Sequence, residues 1–252
     1  MDYLVVDNVQ NLKLNTRYIG RGTTATCFKT KDDRVLKLFR DTYRKISLFK
    51  CTDDLDGHFE FLNSLNNDSY IGPDELVKDL EGKIVAYYMK YRKARTIKRF
   101  KHNIRIRDLI NPYNKLILDT KRVSDARFRL SDLHDQNILF DGDFIIIDLD
   151  HGKMENYHTL DDIQRYNMCD IVHTIIDAMF GVNYFKDIYF DNYDIDALYD
   201  RLTQSEFELF EEFIYALEDE FEEFNPSIGY LRRNRGRILT LQKREDYYGR
   251  YM

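Results

Sequence analysis

Ser131-Asp132-Leu133-His134-Asp135-Gln136-Asn137-Ile138-Leu139-Phe140, then Asp141-Gly142-Asp143, then Phe144-Ile145-Ile146-Ile147-Asp148-Leu149-Asp150, is the stretch that decides the fold. Two apolar runs flank an Asp-Gly signal, which predicts a buried β-hairpin. Asp132 and Asn137 stand before its first strand, and Asp148 and Asp150 close the second. Carboxylates and an amide brought to one end of a hairpin suit a divalent metal with phosphate. Hard cations take oxygen ligands and leave coordination positions for phosphate oxygens.

Working back towards the start, residues 1–40 read as a β-meander. Tyr3 to Val6 is an apolar run, Tyr18-Ile19 leads into Gly20-Arg21-Gly22, and Thr26 to Thr30 stays extended. Lys31 to Arg34 is a tight turn before Val35-Leu36-Lys37-Leu38-Phe39. The pattern Gly20-x-Gly22-x-x-Ala25 places bare backbone between two strands, where amides can approach a phosphate. Lys37 is a cation inside an apolar strand. It either faces inward with an anionic partner or lies on an edge in water. Residues 54–65 have helical spacing and carry Glu60, a possible mate for Lys37, although the apolar register turns His58 inward instead. Gly72-Pro73 breaks the chain before a second hairpin, Glu75 to Leu80 and Ile84 to Tyr91.

After Tyr91 the composition shifts to Arg92, Lys93, Arg95, Lys98, Arg99, Lys101, Arg105 and Arg107, with no acid before Asp108. This marks a boundary between a unit of residues 1–91 and a unit of residues 92–252. The basic run is expected to be a solvated helix face, the alternative being a surface for an anionic partner. Helices are predicted from Leu109 to about Val123 and from Ile163 to Phe180, the second with Ile171, Val172, Ile175, Ile176 and Met179 buried. Between residues 195 and 224, Phe207, Phe210, Ile214, Leu217 and Phe221 form an apolar stripe expected to be core. The tail is again basic, with Arg232, Arg233, Arg235, Arg237, Lys243 and Arg244.

Bulk properties narrow the function classes. At 252 residues with 43% apolar and 14% aromatic content, the chain can bury real cores without disulfides. Its 44 acidic and 38 basic residues give a net charge of −6, which argues against general attraction to nucleic acid or membranes. Cys27, Cys51 and Cys169 have no pairing or metal-ligand spacing, so they read as reduced thiols. No signal segment and no apolar run of spanning length is evident, and the expected setting is soluble and cytoplasmic.

A β-rich first part with a glycine turn and strand lysine, a hinge, then a helical part containing Asp-x-x-x-x-Asn and a strand ending in Asp: this order resembles the protein kinase-like superfamily. Gly20-Arg21-Gly22 with Cys27-Phe28-Lys29 looks like its glycine-rich loop, Val35-Leu36-Lys37 like its strand lysine motif, and Met89-Lys90-Tyr91 like its hinge. Asp132 to Asn137 looks like its catalytic loop, and Asp148-Leu149-Asp150 stands where its metal-binding Asp-Phe-Gly would be. The resemblance implies an α+β, bilobal fold with a β-rich N-lobe holding one main helix and a helical C-lobe. It further implies an ATP- and Mg2+-dependent kinase that transfers the γ-phosphate to a hydroxyl of a protein serine or threonine or of a small molecule. By the same resemblance Gly20, Gly22 and Ala25 cover the ATP phosphates, Lys37 holds them, and Met89 and Tyr91 meet the nucleotide. Asp148 and Asn137 take magnesium, and Asp132 is the base.

The departures point to an atypical bacterial-type or aminoglycoside phosphotransferase-like branch. Leu130-Ser131-Asp132 lacks the arginine that precedes the catalytic aspartate in many protein kinases, and His134 stands where a lysine is common. Asp150 occupies a glycine position, and a short segment with no Ala-Pro-Glu follows it. The alternative function is a catalytically weak or inactive, kinase-like nucleotide-binding module.

Overall fold

The computed structural model describes residues 1–40, 54–182 and 186–243, so Cys51 and Arg244 lie outside the described residues. The chain divides into two units, Met1–Lys93 with Ile147–His151, and Ala94–Ile146 with Gly152–Met252. Ile147–His151, continuous with the second strand of the opening hairpin, thus groups with the first unit.

In the first unit, strands β1 (Tyr3–Val6), β2 (Arg17–Arg21), β3 (Ala25–Lys29) and β4 (Arg34–Phe39) precede helix α1 (Leu55–Ser64). Strands β5 (Glu75–Asp79) and β6 (Ile84–Lys90) follow it. They form one sheet in the order β1-β5-β6-β4-β3-β2. The meander holds for β2, β3 and β4, which pair antiparallel in sequence order. It fails for β1, which lies at the opposite edge and runs parallel to β5 from Tyr3↔Leu76 to Val6↔Asp79. A 3-10 turn over Val9–Lys13, capped by the Asn8 side chain, separates β1 from β2 and turns Leu12 into the core.

Strand alternation gives the sheet two chemically different faces. Leu36 and Leu38 point to one side, where they cluster with Leu12, Val77, Ala86 and Tyr88. Val35, Lys37 and Phe39 point to the other. Cross-strand register sets Cys27 and Tyr87 directly abreast of Lys37, and Lys29 and Met89 abreast of Val35. Helix α1, capped by Asp54 accepting from the Gly57 amide, covers part of this second face. Its Phe59 ring lies 5.7 Å from Tyr87 and 6.3 Å from Phe39.

In the second unit, β7 (Arg95–Thr96) precedes α2 (Ile110–Asp125) and β8 (Phe128–Arg129). The hairpin is β9 (Ile138–Phe140) against β10 (Phe144–Ile146), antiparallel, as the Asp-Gly signal predicts. Strand β7 pairs with β9 through Arg95↔Phe140 and Thr96↔Leu139. The basic run is therefore not a helix face. Its regular parts are a two-residue strand and single 3-10 turns, because Ile97, Phe100 and Ile106 recur too irregularly for one helical stripe and are drawn separately into the core.

Strand β11 (Lys153–Met154) pairs with β8, and α3 (Leu160–Phe180) follows with the five predicted apolar residues fully buried. Strand β12 (Lys186–Phe190), α4 (Tyr193–Gln204), α5 (Phe210–Phe221), α6 (Ile228–Asn234) and β13 (Leu239–Lys243) complete the unit. The stripe from Phe207 to Phe221 is core as predicted, with Phe210 stacked on Tyr113 at 4.1 Å. Two tail arginines serve the fold: Arg232 donates to the Ala178 carbonyl, and Arg235 to the Phe180 and Gly181 carbonyls. They satisfy the acceptors that the end of α3 leaves open.

Candidate functional site

The first unit's polar centre is built on Lys37. Its position inside β4 leaves it 4% exposed, and its ammonium meets two carboxylates, Asp148 and Asp150 Oδ1, the latter at 2.6 Å. Tyr87, abreast of Lys37 on β6, donates its hydroxyl to the same Asp150 oxygen at 3.2 Å. Both acids belong to one short feature. Asp148 adopts the left-handed region at φ 67°, and Leu149–His151 is a 3-10 turn whose Leu149 is buried. A left-handed backbone at a non-glycine residue costs energy and persists where surrounding contacts enforce it.

Burial disfavours charge on all three groups, and their pairing decides the outcome. Lys37 is desolvated, yet Asp150 and Asp148 hold its pKa well above the ordinary lysine value. Asp150 is equally desolvated, and Lys37 keeps it ionised, below the usual carboxylate range. At Asp148, burial and the neighbouring Asp150 outweigh Lys37 and push the pKa up to about 6. Burial raises the Cys27 thiol to about 11, so this neighbour of Lys37 stays protonated.

Glu60 does not meet Lys37: it is exposed and pairs with the Met1 nitrogen at 3.0 Å. His58 does turn inward, as the helical register implies. Burial pushes its imidazole below the ordinary value against the opposing influence of Asp150. The anchor of Lys37 is therefore Asp150.

Other predicted nucleotide-site residues lie in the same unit. Ala25 and Met89 are buried on the Lys37 face, together with Val35, which was not among the predicted residues. Tyr91 follows β6, donates its amide to the Asp33 carbonyl, and has the Lys29 ammonium 4.0 Å from its ring centroid. Gly20 and Gly22 are not demanded by the chain itself. A Cβ at Gly20 would meet nothing within 4 Å, and one at Gly22 only the Ala25 carbonyl at 3.9 Å. Their bare backbone is space left open to solvent.

In the second unit, Asp132 is exposed at φ 57° and opens a compact loop. Asn137 is buried; its amide nitrogen donates to the Asp132 carbonyl at 3.0 Å, which leaves its oxygen as an acceptor. The Asn137 backbone amide donates to the His134 carbonyl at 2.9 Å. His134 Nδ1 accepts from the Gln136 amide at 3.2 Å, a local structural role for that imidazole. The Lys98 amide donates to the Asp135 carbonyl from outside the loop.

A residue not singled out in the sequence fixes the approach to Asp132. Asn167, fully buried on α3, accepts from the Leu130 amide at 2.8 Å and donates to the Phe128 carbonyl at 2.9 Å and to Ser124 Oγ at 3.0 Å. An asparagine inside an otherwise apolar helical face was the available signal. The segment after His151 is pinned as well: Arg127 donates to the Glu155 and His158 carbonyls, and the Gly152 position lies so close against the Phe128 ring that a Cβ would collide with it.

One turn beyond Asn167, Asp170 has its pKa raised to about 6 by burial against the opposing pull of Arg129. The folded state therefore keeps a proton that the unfolded chain releases near pH 4, so this group makes stability fall as pH rises from about 4 to about 6. Asp170→Asn is expected to remove that slope and to stabilise the chain at pH 7 by on the order of 1 kcal/mol. Melting of both proteins between pH 4 and 7 measures it. A difference in melting temperature that does not grow with pH contradicts the assignment.

No protein-family profile and no curated protein matches the chain. Solved structures do match. The crystal structure of the Mycobacterium tuberculosis PknI kinase domain aligns with a TM-score of 0.55 and 11% identity, covering 82% of this chain and 96% of that one. A cysteine-to-alanine mutant of the same kinase domain aligns with the same score and identity, covering 82% and 95%. The fold is thus protein kinase-like and α+β, with a β-rich first unit and a helical second unit.

Proposed function

We propose that the chain is an ATP- and magnesium-dependent phosphotransferase that moves the γ-phosphate of ATP to a hydroxyl acceptor. The observation that carries this reading is the buried Lys37 ammonium held against Asp148 on a strand of a kinase-like sheet. In this reading the nucleotide belongs to residues 1–91, with Asp148 as their partner in chemistry, and the acceptor belongs to residues 92–252.

The donor set fits a hard divalent ion. Asp148 and Asp150 offer carboxylate oxygens, and Asp150 Oδ2 is buried without a hydrogen-bond partner among the described residues. Asp148 is assigned to one magnesium ion and Asn137 to a second, and magnesium when bound neutralises charge on the transferring phosphoryl group. Lys37 binds the α- and β-phosphates, and the open backbone at Gly20 and Gly22 lets amides approach phosphate oxygens. Ala25, Val35 and Met89 supply an apolar surface for the base, bounded by Tyr91. Asp132 orients the acceptor hydroxyl and takes its proton as the oxygen attacks phosphorus and the bond to the departing ADP oxygen breaks. The thiols Cys27 and Cys169 are free, and we assign a reducing, cytoplasmic setting. Among the described residues no helix is long and apolar enough to cross a membrane.

Labelled ATP with magnesium, offered a panel of protein and small-molecule alcohols, should give label transfer that Asp148→Ala lowers by about 10³-fold. Undiminished transfer by that variant removes Asp148 from the reaction. An ATP-dependent rise in melting temperature without transfer to any acceptor replaces this reading with a non-catalytic nucleotide-binding module.

A further inference from the structure

We infer that Asp148, Asp150 and His151 form a divalent-cation site that prefers Mn2+ to Mg2+, and that Lys37 holds the ion's place there until the ion binds. This deepens the reading above by naming a ligand set and an ion preference that the resemblance does not supply. It is measured without phosphate transfer.

The first ground is geometric. One ligand atom from each of the three residues lies within 4.8 Å of the others. Donors about 2.1 Å from one ion stand about 3–4.2 Å apart, so small side-chain rotations bring all three into one coordination sphere. All three lie on one short stretch of chain. Asp148, left-handed at φ 67°, immediately precedes the turn that carries Asp150 and His151. Leu149, between Asp148 and Asp150, is turned into the core.

Charge and hydrogen bonding give a second, independent ground. The buried Asp150 and the half-buried Asp148 share a single ammonium. Asp150 is 4% exposed, and its Oδ1 accepts from Lys37 and Tyr87, whereas its Oδ2 has no hydrogen-bond partner among the described residues. A buried carboxylate oxygen without a partner is costly, and a cation is the ligand that resolves it. The Lys37 ammonium bridges both acids, which is what a cation held between them would do. A divalent ion competes directly with that ammonium for the place between the carboxylates.

The third ground is ligand chemistry. Magnesium takes oxygen ligands and keeps its waters, whereas an imidazole nitrogen favours first-row transition ions. An imidazole in an aspartate–aspartate–histidine set therefore widens the preference for Mn2+ over Mg2+ beyond what the two carboxylates alone would give.

The test is titration of the full chain with Mn2+ in the absence of nucleotide, followed by the loss of the free-ion electron paramagnetic resonance signal, with Mg2+ as competitor. Wild type should bind Mn2+ at least about tenfold more tightly than Mg2+, and His151→Ala should lower that ratio by at least about threefold. Asp150→Asn should weaken Mn2+ by at least about tenfold, and Lys37→Met, which removes the competing cation, should tighten it. His151 is half-buried, so His151→Ala keeps the test decisive if the Asp150 or Lys37 variant fails to fold. Mn2+ binding indifferent to both His151→Ala and Asp150→Asn, or equal affinity for the two ions in wild type, overturns the inference. Binding as described in a chain that transfers no phosphate retains the cation site and rejects the phosphotransferase. Transfer in a chain whose Mn2+ binding ignores these residues does the reverse.

Discussion

Lys37→Met should lower the free energy of unfolding by about 3–5 kcal/mol, the range for removing one partner of a buried ion pair. The loss comes less from the missing attraction than from what remains. Asp150 would stay buried beside Asp148 with its Lys37 partner gone and the Tyr87 hydroxyl still donating to it. Two consequences separate this from loss of packing. Lys37→Met combined with Asp150→Leu should recover most of the stability, because replacing both partners with apolar groups is often neutral. Mn2+ should also raise the melting temperature of Lys37→Met more than that of wild type, since the ion supplies the missing charge. Urea unfolding of the three proteins decides it. A loss under about 1 kcal/mol in the single variant would show that the pair is not held against solvent.

Asn167→Leu should cost about 2–4 kcal/mol, because the Leu130 amide and the Phe128 carbonyl would lose a buried partner. The same change should reduce transfer, since these bonds fix the strand that delivers Asp132, and the effect should fall on kcat more than on KM for ATP. Asn167→Asp separates the two ends of the amide. It keeps an acceptor for Leu130 and loses the donor to Phe128, so it should sit between wild type and the leucine variant. Equal damage from both substitutions would mean that the Leu130 bond carries no special weight.

The hairpin was legible because its signals are local: an Asp-Gly turn between apolar runs forms the same structure in almost any surroundings. Lys37 was legible because a cation in an apolar strand contradicts its neighbours. Its partner was not. Glu60 lies on the right helix, but the helix turns it outward, and the pairing with Asp150 depends on a left-handed residue and a 3-10 turn that no propensity encodes. Asp150 was visible as a departure, and its purpose needed the third dimension. The parallel β1–β5 pairing was likewise hidden, since a four-residue apolar run carries no sign of which distant strand it joins. The basic run misled because charge density was taken for a helical surface, whereas its buried Ile97, Phe100 and Ile106 mark separate insertions into the core.

The identity of the lysine's partner bears on how such a protein could be switched. Where the partner sits on a neighbouring helix, moving the helix breaks the pair, and a regulator acts by leverage. Here the counter-charge is two residues from Asp148 in the chain, and α1 reaches it through His58 beside Asp150. The element exposed to control is the three-residue turn itself. In the reading proposed above, an ion or a nucleotide would act on that turn directly, by charge.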